Sequence, residues 1–133
     1  ASVIIAGPGD LYTTILPVIM VPDILSAIKE SRAEKFFVVN VANKPFETPR
    51  YTIEDFAKAI RKHCGATLFD VFFLNNNQNP QIPQGWKYQY KYVPIQNGQT
   101  KFPFKIVQED LVNEEFPLYH DSVKLAKVIA ENI

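Results

Sequence analysis

In "TIEDFAKAIRKHCGATLFDVFFL", residues 52–74, the hydrophobic pattern changes from that of a helix to that of a buried strand. Thr52 and Asp55 make a capping-box pair, in which the hydroxyl accepts from the third amide while the carboxylate reaches back. Ile53, Phe56, Ala57 and Ile60 fall at i, i+3, i+4 and i+7, one face of a helix, and Gly65 supplies the C-terminal stop. LFDVFFL, residues 68–74, is a nearly continuous apolar run, as in strands covered on both faces of a parallel sheet.

Working outward, VIIA (3–6) and FFVV (36–39) are runs of the same kind. Between them "PDILSAIKES" (22–31) opens with Pro22 and Asp23 and places Ile24, Leu25 and Ile28 on one stripe. The order is strand, helix, strand, helix, strand, a βαβαβ core with right-handed crossovers and mainly parallel strands. After Leu74 the composition shifts. "NNNQNPQIPQG" (75–85) reads as a loop, and "WKYQYKYVPI" (86–95) alternates with period 2 as a strand with one covered face. "KFPFKIV" (101–107) suggests a second short strand, at an edge because of Pro103. A closing helix in "HDSVKLAKVIAENI" (120–133) is capped by Asp121 or Ser122 and turns Val123, Ala126 and Ile129 inward. The expectation is one α/β domain over 1–133, with 1–74 as the core and 75–133 as loop, strand pair and closing helix.

Fourteen basic residues balance fourteen acidic ones, so no overall field favours nucleic acid or an anionic membrane. A single cysteine, Cys64, cannot form an internal disulfide, and no Cys/His cluster has zinc spacing. The longest apolar stretch, "ILPVIMVP" (15–22), is broken by Pro17 and Pro22, well short of the roughly 20 residues of a spanning helix. No signal peptide is recognisable, and a reducing cytoplasm is the expected location. "ASVIIAG" enters a strand at once, and the expectation is a fragment, the C-terminal half of a larger α/β fold.

The turn "GPGDLYTT", residues 7–14, sits at the carboxyl end of the first strand, where open α/β sheets bind ligands. Gly7 and Gly9, flanking Pro8, let the main chain approach a ligand closely. Amides from Asp10 through Thr14, Leu11 included, are placed to point at an anion. Thr13 and Thr14 add hydroxyls, and Tyr12 adds a ring with a polar tip. Asp10 suits a ligand hydroxyl or amide. The alternative is a tight strand-to-helix turn with Asp10 as N-cap and Tyr12 packed on the core. Asn40, ending the next strand, either reads a ligand or ties the loop. His63 and Cys64 point about 100° apart on a helix and make no dyad. His120 needs no role if Asp121 is a cap, and the aromatic strand at 86–93 reads as core or interface rather than a base-stacking platform.

"GPGDLYTTILPVIMVPDILSAIKES", then "KFFVVNVANKPFET" and "YTIEDFAKAI", resembles the 2-phospho-L-lactate transferase superfamily, most strongly its gluconeogenesis-factor branch. The likeness is specific through Gly65 and returns in "HDSVKLA" (120–126). It implies a Rossmann-like, partial doubly wound fold binding a nucleotide diphosphate. For the gluconeogenesis-factor branch it implies a UDP-sugar ligand and a regulatory role in central carbon and cell-wall metabolism and cell shape. Gly7, Pro8, Gly9, Leu11, Tyr12 and Thr13 match the first motif, with Asp10 where many relatives carry Ser. Asn40, Pro45, Glu47 and Thr48 match the second, while Phe46, Pro49 and Arg50 depart from it, Phe46 and Arg50 standing in place of glycines. Arg50 is either a bidentate phosphate donor or a solvated loop residue. Family members also carry a glycine-rich loop on their first strand, which supports the fragment expectation and makes the missing N-terminal half a partner.

Three functions follow as expectations. The first is a UDP-sugar-binding regulator that need not catalyse anything, since no carboxylate pair or nucleophile–base pair in the sequence demands an enzyme. The second is a phospholactyl-type transferase using a guanosine diphosphate carrier, a deazaflavin alcohol and Mg. The third is a self-association module, a homo-oligomer with a vestigial nucleotide site.

Overall fold

A computed structural model describes residues 1–85, 93–98 and 101–133. The elements are β1 (Val3–Ala6), a wide π-type turn (Leu11–Ile15), α1 (Leu16–Ile19), α2 (Pro22–Glu30), β2 (Glu34–Val38), α3 (Ile53–Cys64), β3 (Val71–Asn75), β4 (Lys105–Glu109) and α4 (Ser122–Ala130). The four strands form one parallel sheet in the order β1-β2-β3-β4. Neighbours in sequence are therefore neighbours in space, the arrangement short right-handed crossovers favour.

The register explains the two-sided burial. Phe37 pairs with Phe72, and Phe72 with Ile106, so these side chains share one face and pack under α1 and α3. Phe36, Val71 and Phe73 share the opposite face, covered by Val128 with Leu125 and Ile129 of α4. Phe36, Phe37, Phe56, Phe72 and Phe73 are fully buried. Each removes apolar area worth roughly 1.5–3 kcal/mol, which accounts for the sheet's commitment to this register.

Helix α3 forms as its sequence dictates. Thr52 accepts from the Asp55 amide, Asp55 returns a carboxylate to the Thr52 amide, and Gly65 ends the helix with a φ of 71°. Cys64 is buried, and desolvation pushes its thiol pKa up, as suits a core residue rather than a nucleophile.

Several boundaries and faces differ from the sequence reading. The last run begins its strand at Val71, because Leu68 and Phe69 are used to pack beneath α3, and it ends on Asn75, which is buried rather than in the loop. In α2, Ile24 is exposed while Leu25 and Ile28 meet the core. In α4, Val123 and Ala126 are exposed, and the inward face is Leu125, Val128 and Ile129. Asp121 caps α4 as expected, accepting from the Val123 and Lys124 amides. Among the described residues β4 lies at the sheet edge and joins β3 in parallel, and the other member of the expected strand pair falls largely outside the described residues. Most of the period-2 strand expected at 86–95 lies outside the described residues; Pro94 and Gln96 bridge to Ala42 and Thr52. Among the described residues, no single helix is long and apolar enough to cross a membrane.

Candidate ligand cavity at the sheet's carboxyl end

At the end of β1 the chain turns against β2. Gly7 has a φ of 93°, and a Cβ there would lie 2.6 Å from the Val38 carbonyl oxygen. The next turns are stitched to the loop after β2. Gly9 donates its amide to Asn40 Oδ1 at 3.2 Å. Tyr12 and Thr13 donate theirs to one oxygen of Glu47, at 2.8 and 3.0 Å, and the Thr13 hydroxyl adds a third contact at 3.3 Å. The Thr14 and Ile15 amides both reach the Asp10 carbonyl, at 3.0 and 2.9 Å. Glu47 is thus the anion at this helix start, placed where unpaired amides and the peptide dipoles favour negative charge.

The expectation of amides from Asp10 to Thr14 open toward a bound anion is corrected accordingly: those of Tyr12, Thr13 and Thr14 already have partners within the chain. Asp10 precedes the helix but makes no side-chain cap; its carboxylate pairs with Lys44 Nζ at 2.7 Å. That contact raises the Lys44 pKa and keeps the ammonium charged. Tyr12 packs half-buried, its hydroxyl 2.8 Å from that of Tyr51 and its ring edge-on to Tyr51 and His63. Burial and the Tyr51 hydroxyl push its pKa up to about 12. Leu11 is wholly buried, and Thr48 is buried with its hydroxyl accepting from the Lys44 amide. Arg50 is exposed, with a φ of 58° that favours glycine.

Beside this stitched turn a cavity of about 500 Å³ opens between the carboxyl ends of β1 and β2 and the start of α4. Pro8, Gly9, Asp10 and Asn40 line it; of the sequence-predicted residues Gly7, Leu11, Tyr12, Thr13, Thr14, Thr48 and Arg50 do not. Lys44, Tyr119 and Ser122, which the sequence reading missed, also line it, as does His120, which the sequence reading weighed and set aside. Lys44 stands inside the second motif and His120 opens the "HDSVKLA" likeness, so the motifs themselves were the available signal. His120 Nε2 lies 3.1 Å from the Val39 carbonyl oxygen, tying the α4 start to the end of β2. Burial lowers its pKa, so the ring is neutral at pH 7. Among the described residues, no three His, Cys, Asp or Glu side chains cluster as a metal site would require.

Two substitutions check this geometry. Replacing Glu47 with Ala is expected to cost about 1–2 kcal/mol in urea unfolding, the usual worth of a helix-start acceptor. Glu47→Gln, which keeps an oxygen but not the charge, should lose about half of that. Arg50→Gly is expected to raise stability by about 0.5 kcal/mol, as relief of the left-handed backbone exceeds glycine's added freedom in the unfolded chain. Arg50→Ala keeps the strain and should show no gain.

Residues 1–114 match the family described as "2-phospho-L-lactate transferase CofD". The chain is 47% identical over 123 residues to the gluconeogenesis factor of Halalkalibacterium halodurans and 40% identical over 138 residues to that of Bacillus subtilis strain 168. These alignments take in 92% and 98% of the chain but 38% and 43% of the relatives, so the chain spans about two fifths of their length. A crystal structure of a UPF0052 family member from Bacillus halodurans superposes with a TM-score of 0.83 at 34% identity, over 98% of this chain and 43% of that one. The sequence motifs, the parallel sheet and these matches agree: the chain belongs to the CofD/UPF0052 family, as a homologue of the gluconeogenesis factors.

Proposed function

We propose that the cavity beside the Gly7–Thr14 turn binds a nucleotide sugar, a UDP-sugar before others, and that the chain serves a regulatory protein of the gluconeogenesis-factor type. The observation that carries this is the cavity itself: about 500 Å³ at the carboxyl ends of two adjacent parallel strands. That volume falls within the roughly 300–1,000 Å³ of ligand pockets. Its chemistry suits a ligand with an anionic part and a hydroxylated part. A phosphate oxygen can take Lys44 from Asp10, leaving the Asp10 carboxylate to accept from a hydroxyl. The Asn40 side-chain nitrogen, without a partner among the described residues, is an additional donor at the same wall. The gluconeogenesis-factor relatives support the regulatory role.

Isothermal titration of the full-length protein with UDP-N-acetylglucosamine, UDP and GDP tests the reading. Uridine nucleotides are expected to bind in preference to GDP. The family match is also to a transferase, and GDP binding alone, with turnover on a deazaflavin alcohol, would replace the regulator with an enzyme. No nucleotide binding, with a concentration-dependent dimer in light scattering, would leave a self-associating module.

A further inference from the structure

The start of α4, which lines the same cavity as Lys44, has a fixed hydrogen-bond polarity. A carbonyl oxygen only accepts, so the 3.1 Å contact with Val39 places the proton of neutral His120 on Nε2. Nδ1 is then a bare acceptor. It has no partner among the described residues, and it is not sealed in the core: the sealed side-chain atoms without partners there are Asn43 Oδ1 and Gln78 Oε1. His120 lines the cavity, and with Nε2 committed to Val39, Nδ1 is the acceptor it has to offer a ligand there.

We propose that His120 selects the ligand's orientation: Nδ1 accepts from a hydroxyl or amide N–H, so the donor-bearing end of the ligand lies against α4 and its anionic end lies at Lys44. This rests on the cavity being the ligand site proposed above. The opposite orientation would set phosphate oxygens against a lone pair, acceptor facing acceptor, and leave Lys44 with Asp10 alone. The Val39 contact holds the ring in one tautomer, and burial, which disfavours the imidazolium, keeps that tautomer uncharged at pH 7. Tyr119 and Ser122 line the same cavity and add hydroxyls that donate or accept as a sugar requires.

The test uses full-length protein with ¹⁵N-labelled histidine at pH 7, and UDP-N-acetylglucosamine as probe. The free protein is expected to show His120 neutral and protonated at Nε2. On saturation its Nδ1 resonance should move as it accepts a hydrogen bond, with the ring still neutral. His120→Phe keeps the ring's bulk but offers no acceptor, and should weaken probe binding about tenfold, the loss of one good neutral hydrogen bond. His120→Gln, whose amide supplies both a donor for the Val39 carbonyl and an acceptor oxygen, should retain most of the affinity. An Nδ1-protonated tautomer, a ring that becomes charged on binding, or probe affinity unchanged in His120→Phe would each overturn this inference alone. A wild-type protein that binds no uridine nucleotide would overturn the proposed function, and this orientation with it.

Discussion

Gly7→Ala is expected to lower stability by about 3 kcal/mol, whereas Gly9→Ala, two residues on, should cost under about 1 kcal/mol. At Gly7 the φ of 93° is itself unfavourable for any L side chain, by roughly 1–2 kcal/mol. The added methyl would also lie 2.6 Å from the Val38 carbonyl oxygen and 3.5 Å from its carbon. That obstacle is main chain at the end of a central strand. Relieving the contact means separating β1 from β2, and Val38 is itself paired in register with Phe73, whose carbonyl accepts from the Val39 amide. Gly9 is different. Its Cβ would meet Ile15 Cδ1 at 3.0 Å, the tip of a side chain able to turn aside. For a chain of this size a loss of 3 kcal/mol lowers Tm by about 10 °C. Thermal unfolding followed by circular dichroism reads both variants. A Gly7→Ala protein as stable as Gly9→Ala would mean the turn is not pressed against β2 as described.

The glycine pair shows what the sequence carried and where it stopped. Local signals were legible where one short segment determines its own conformation: the Thr52–Asp55 box, the Gly65 stop, the Asp121 cap and the apolar runs that became β1, β2 and β3. The parallel βαβαβ order followed from these, because crossovers of that length leave few topologies. The site was legible only as a place. The turn after β1 does border the cavity, but the partner of its amides is Glu47, 34 and 35 residues away in sequence. Nothing in "GPGDLYTT" announces that a carboxylate from the next loop will take the anion's position. Lys44 was passed over and His120 set aside for the same reason. Their relevance comes from the packing of α4 across the ends of β1 and β2, and no periodicity reports that. Faces of short helices failed too: in α4 the inward stripe is set by which side meets Phe36 and Phe73, so Leu125 and Val128 replace Val123 and Ala126.

Asn75→Ala is expected to cost about 3 kcal/mol, and Asn76→Ala less than about 0.5 kcal/mol. In "NNNQNP" the asparagines at 75, 76 and 77 look alike, and the run reads as loop. Asn75 is instead the last residue of β3 and is 1% exposed. Its Oδ1 accepts from the Leu111 amide at 3.1 Å and from the Asn77 amide at 3.2 Å, while Nδ2 donates to the Asn77 carbonyl at 2.8 Å. This side chain links the end of β3 to the segment leading from β4 toward α4. Leu111 is fully buried, so truncating Asn75 strands its amide where water has little access. A buried donor left without an acceptor costs about 1–3 kcal/mol, and the space left by the carboxamide adds to that. Asn76 is exposed, and water takes over whatever its side chain does. Urea unfolding of both variants separates the cases. The same two proteins also address the cavity, since Leu111 and the Asp121 amide that bonds to its carbonyl precede the wall carrying Ser122. Loosening Asn75 should therefore weaken ligand binding as well as the fold, whereas Asn76→Ala should change neither. Equal stabilities for the two variants would show that β3 ends before Asn75 and that the link to the α4 wall is held by other groups.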